Sequence, residues 1–143
     1  MPHLSKTFTI KARDYLRAGE VSIQVQRLLK TIGFDPTLIR KVSICAYEAE
    51  MNVVIHGGDG VLRLTIEPRG ILLDVQDEGP GIEDVSLALQ EGYSTASEEA
   101  REMGFGAGMG LPNIKKNSDV LEITSAKGKG VHLRIVFDFE ETS

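Results

Sequence analysis

Apolar and polar positions alternate along residues 5–11, SKTFTIK, and this period of two predicts a strand with Phe8 and Ile10 facing inward. The period then lengthens. From about residue 14 to 31, Ala18, Val21, Val25, Leu28, Leu29 and Ile32 recur at steps of three and four, which predicts an amphipathic helix closed by Gly33. Asp35 followed by Pro36 supplies an N-cap and a first-turn proline for a second helix, which Gly57 and Gly58 end. Residues 61–67, VLRLTIE, and 71–76, ILLDVQ, alternate again and meet at Pro68, Arg69 and Gly70, the pattern of a hairpin. A short helix is predicted over residues 83–90, with Val85, Leu87 and Leu89 among its apolar positions. No period survives from residue 91 to 110, a loop of the length used for lids. Residues 111–117 resume as a short helix that tolerates Pro112 in its first turn. Residues 120–125 and 131–139 read as strands joined through the turn KGKG at 127–130. This order predicts an α+β fold: a two-layer α/β sandwich with helices on one face of a mixed, mostly antiparallel sheet.

A chain of 143 residues with 41% apolar and 26% charged positions reads as one soluble domain over residues 1–143, large enough for a core without staples. No apolar run approaches a membrane span and the first residues lack the pattern of a signal peptide, so a cytoplasmic protein is expected, with no membrane partner. A net charge of −5 without a basic cluster argues against nucleic acid as a partner. Cys45 is the only cysteine and lies in an apolar row, so it reads as a packing residue. His3, His56 and His132 show no metal-ligand spacing.

Candidate chemistry sits on the second helix. Val42, Cys45, Ala49 and Val53 form one apolar row along residues 41–58, and Ile44, Met51 and Ile55 another. Glu48 and Asn52 lie between these rows, four residues apart and so stacked on one face. The pair is either a satisfied polar strip or a metal and water site, since an amide oxygen suits Mg²⁺ and a carboxylate can take a proton from a hydroxyl. Three glycine-bearing turns accompany it: residues 77–81, DEGPG; residues 104–110, GFGAGMG; and residues 128–130, GKG. Alternating glycines before a helix expose backbone amides in a way that suits phosphate.

Taken together, EAEMN at 48–52, DEGPG at 77–81, GFGAGMG at 104–110 and GKG at 128–130 resemble the ordered boxes of the ATPase superfamily containing gyrase, heat-shock chaperone, histidine kinase and mismatch-repair proteins. Within it, GYSTA at 92–96 and GLP at 110–112 are most similar to the small anti-sigma factor and stressosome switch kinases. The resemblance implies a Bergerat-type ATP-binding fold and a protein serine/threonine kinase using ATP and Mg²⁺ on a STAS-domain antagonist protein or in contact with a sigma factor. It implies that Asn52 holds Mg²⁺, Glu48 acts as the catalytic base and Asp77 accepts the adenine amine. Gly79 and Gly81 would let adenine approach the backbone, and Gly104, Gly106, Gly108, Met109 and Gly110 would meet the phosphates, with Arg101 as a further contact. Two departures stand out: Val131 where many relatives carry threonine, and the acidic stretch with Glu98, Glu99 and Glu102. The alternative expectation is an ATP-binding module that sequesters its partner with little or no transfer. A homodimer is left open.

Overall fold

Among the described residues alternation becomes a sheet of five strands, β1 (Leu4–Ile10), β2 (Gly60–Glu67), β3 (Gly70–Asp77), β4 (Val120–Ser125) and β5 (Val131–Asp138), in the spatial order β1-β2-β3-β5-β4. The structure is a computed structural model and describes residues 4–56, 58–79, 110–125, 128 and 130–139. All pairings among the described strands are antiparallel. A mixed sheet was expected, and β4 does run in the same direction as β3, but β5 is inserted between them and no parallel pair forms among these strands.

Among the described residues three helices, α1 (Glu20–Ile32), α2 (Pro36–His56) and α3 (Gly110–Asn117), cover one face. Alternate strand residues point at them: Leu62, Leu64 and Ile66 of β2, Ile71, Leu73 and Val75 of β3, and Leu133, Ile135 and Phe137 of β5 are at most 3% exposed. Opposing them are Val25 and Leu29 of α1, the predicted row Val42, Cys45, Ala49 and Val53 of α2, and Ile114 of α3. Burying each such aliphatic or aromatic side chain contributes about 1.5–3 kcal/mol, so this interface holds the two layers together. Cys45 is a packing residue as expected; its thiol donates to the Ile114 carbonyl at 3.6 Å, and burial pushes its pKa up to about 12. The outer face of the sheet is mixed, with Val61 and Val120 exposed on it. There the register sets Arg63 beside Asp74, Asp74 beside Arg134 and Arg134 beside Glu122, a row of alternating charge.

The helix starts differ in how they were specified. Asp35 caps α2 as its sequence predicts, its carboxylate accepting from the amides of Thr37 at 3.0 Å and Leu38 at 3.3 Å. α1 begins at Glu20, not near residue 14. Residues 11–19 instead form turns laid against α2, where Tyr15 and Ala18 pack on Met51 and Ile55, and the Arg13 amide bonds the Val54 carbonyl at 2.9 Å. Of the predicted stripe only Ala18 falls in this turn, while Val21, Val25 and Leu29 are buried on α1 as expected. Gly33 ends α1 as expected, at φ 98°, with its amide on the Leu29 carbonyl.

Candidate functional site

Glu48 and Asn52 occupy successive turns of α2, both half-buried, on the side that faces α3. α3 reaches them through two residues. Asn113 donates its side-chain amide to Glu48 Oε2 at 3.4 Å, which leaves Oε1 available among the described residues. Gly110 opens the helix so close to Asn52 that a β-carbon there would lie 3.1 Å from Asn52 Oδ1. The start of α3, with amides that no helical carbonyl satisfies, thus adjoins an amide oxygen and a carboxylate. Burial pushes the Glu48 carboxyl above its usual 4.5, and the Asn113 hydrogen bond pulls it partly back. A carboxylate in such surroundings is a better proton acceptor than one in water.

Asp77 ends β3 opposite Gly60 of β2 and Val131 of β5, so the register places it where the sheet meets the end of α2. A β-carbon on Gly60 would lie 3.1 Å from both the Asp77 side chain and Val53, the neighbour of Asn52. The Asp77 carboxylate accepts from the backbone amide of Gly79 at 2.7 Å. An ionised carboxylate offers about four acceptor positions, so capacity is left for an outside donor. Burial raises its pKa above 3.8, partly offset by the backbone amides of Gly79, Gly58 and Val131. Gly130, at φ 77°, presses its Cα against the Asp77 carbonyl, so any side chain there would clash. Val131 contributes its main chain to Asp77 and, as its sequence already showed, no side-chain hydroxyl.

Residues 12–137 match the sequence model of the histidine kinase-like ATPase domain. The chain belongs to that family. Among its relatives, the anti-sigma F factor of Thermoanaerobacter sp. (strain X514) is 35% identical over 108 residues, covering 71% of this chain and 72% of the relative. The anti-sigma F factor of Caldanaerobacter subterraneus subsp. tengcongensis is 36% identical over the same share of each. The serine/threonine-protein kinase RsbT of Bacillus subtilis is 25% identical over 117 residues, 78% of this chain and 80% of that one.

As a histidine kinase-like ATPase domain, the chain brings Glu48, Asn52 and Gly110 together at the α2–α3 contact, and gathers Asp77, Gly79 and Gly130 at the adjoining end of the sheet. Gly81, Arg101, Gly104, Gly106, Gly108 and Met109, like the predicted helix over residues 83–90 and the loop after it, lie outside the described residues. Among the described residues no three His, Cys, Asp or Glu side chains form a metal cage. Two supporting residues escaped the sequence reading. Asn113 carried a faint signal, being polar between the apolar Leu111 and Ile114 on a short helix. Glu50 carried a clearer one: Ala46, Glu50 and Val54 form a four-residue row, and a lone acid in such a row is a buried acid. It is 2% exposed, and it accepts from the amides of Gly19 at 3.0 Å, Val21 at 3.2 Å and Ser22 at 3.0 Å, capping α1 from a neighbouring helix.

Proposed function

We propose that this chain is an ATP-dependent protein serine/threonine kinase and regulatory switch that acts on a hydroxyl of a small STAS-domain antagonist protein. The observation that carries the reading is the half-buried Glu48, steadied by Asn113 and one turn from Asn52. The names of the relatives, anti-sigma F factor and serine/threonine-protein kinase, support both halves of it, restraint of a partner and transfer to one.

The residues fit the nucleotide. Asp77 has an acceptor position left for the adenine amine, and Gly79 and Gly81 let the ring approach the chain. Asn52 would hold Mg²⁺ through its hard amide oxygen. Gly104, Gly106, Gly108, Met109 and Gly110 supply amides for phosphate, and Arg101 a charge. ATP with Mg²⁺ supplies the phosphoryl group and the charge neutralisation that its transfer requires. The chain itself positions the acceptor and removes its proton: Glu48 Oε1 takes the proton of the partner's hydroxyl while Asn113 holds Oε2.

Glu48→Gln tests this. The variant keeps the shape of the site and touches no adenine contact, so it should bind ATP and partner as the wild type does. Transfer of label from ATP to a purified STAS-domain protein should fall by about 10²- to 10⁴-fold, the usual worth of a general base. Wild-type protein that binds ATP and the STAS-domain protein but never labels it would point instead to a sequestering module.

A further inference from the structure

We propose that an open groove along α2, between α1 and α3, is the docking site for an extended, acidic segment of the partner protein. The groove encloses about 780 Å³ and ends at Glu48 and Asn113. The proposal rests on the kinase reading for what happens at that end, and on the groove itself for what lies along it.

Pro36, Arg40, Ser43, Ile44, Tyr47 and Glu48 recur at three- and four-residue steps, so one continuous face of α2 forms the floor. Lys30 and Phe34 stand on the α1 side, Asn113 and Asn117 on the α3 side. Tyr47 is 40% exposed, and the buried hydroxyl of Ser43 has no hydrogen-bond partner among the described residues. A segment with apolar groups would cover the exposed Tyr47 ring.

Charge decides its chemistry. The chain carries a net −5, yet among the described residues this groove is lined by two cations, Lys30 and Arg40, and by one acid, Glu48 at its end. Neither cation takes part in an ion pair among the described residues. Asp35, five residues in sequence from each cation, is engaged by the amides of Thr37 and Leu38 at the start of α2. A partner segment with an acidic residue at the Lys30 and Arg40 end complements this distribution and is steered toward it. Spacing follows from helix geometry. Arg40 and Glu48 are eight residues apart on α2, about 12 Å along its axis. An extended chain covers that in about four residues, so the acid belongs about four positions from the hydroxyl residue.

Fluorescein-labelled nine-residue peptides test the idea, each with a central serine and with aspartate, lysine or alanine four residues to either side. Binding is read by anisotropy and transfer by label from ATP. The aspartate peptides should bind about 10-fold more tightly than the lysine peptides, the scale of two exposed ion pairs, and the difference should shrink in high salt. Lys30→Glu combined with Arg40→Glu should reverse the order, the lysine peptides now binding better, with the circular dichroism spectrum and ATP affinity unchanged. Equal binding of all peptides, no binding of any, or a preference that survives the double reversal would overturn the docking site. Charge-dependent binding without label on serine would uphold the groove and sink the kinase reading; label on serine without charge preference would do the opposite.

Discussion

At Glu50, a carboxylate inside the core receives three backbone amides from the start of α1, and the Ser22 hydroxyl bonds back to the Gly19 carbonyl at 2.9 Å. Removing it strands those donors where water cannot replace it. Glu50→Ala should therefore cost about 3 kcal/mol by denaturant titration, more than an ordinary cap, because hydrogen bonds to a buried charge are at stake. A loss below about 1 kcal/mol would show that the amides find other partners. An acid in an apolar row was a signal the sequence carried but that went unread, whereas its partners, far away in sequence, left no signal at all. Glu48 is the reverse case: its place beside Asn52 was readable from the four-residue spacing, but the Asn113 contact depends on α3 meeting α2, which no local pattern announces. Its raised pKa has a consequence for pH. The native state holds the Glu48 proton more tightly than the unfolded chain does, so its contribution to stability is full below pH 4.5 and is lost as pH rises through the raised value. Glu48→Gln, which mimics the protonated form, should gain stability over wild type as pH rises above 4.5, with the two converging below it. Thermal melts across that range check this, and a difference independent of pH would contradict it.

Among the elements, the strands and α2 followed from their patterns because one face of each is buried and the period is unbroken. α1 shows where this fails. Tyr15 and Ala18 are partly buried apolar residues, but the surface that covers them is α2 contacting a non-helical turn, and periodicity records burial without recording backbone shape. The meeting of α3 with α2 is the element contact on which the site depends, and Gly110 sets how close it is. Alanine there would favour the helix by propensity while placing a β-carbon 3.1 Å from Asn52 Oδ1. Gly110→Ala should therefore melt no lower than wild type and yet bind ATP with Mg²⁺ less well, by about 10-fold. Unchanged affinity would show that Asn52 is free to move without loss, and would weaken its assignment to the metal.

At the scale of the whole molecule, the α+β class and the helix-covered sheet were legible, but the insertion of β5 between β3 and β4 was not. That insertion matters. It sets Val131 opposite Asp77 and brings Gly130 against it, so the last glycine turn and the acid of an earlier turn share one corner although more than fifty residues separate them. Sequence order could suggest that these turns act together; only the sheet register places them. Ionisation at that corner also sets a limit on function: because burial raises the Asp77 pKa above 3.8, its acceptor capacity should be lost on acidification sooner than that of an exposed aspartate. The most direct test of the account is calorimetric titration of the wild type and Asp77→Asn with ATP and with GTP, each with Mg²⁺, with thermal melts confirming that both proteins are folded. The account predicts that wild type prefers ATP by about 100-fold, since the carboxylate accepts from the adenine amine but faces an oxygen in guanine, and that Asp77→Asn loses this preference together with most of its ATP affinity. A folded Asp77→Asn that binds ATP as tightly and as selectively as wild type would contradict it.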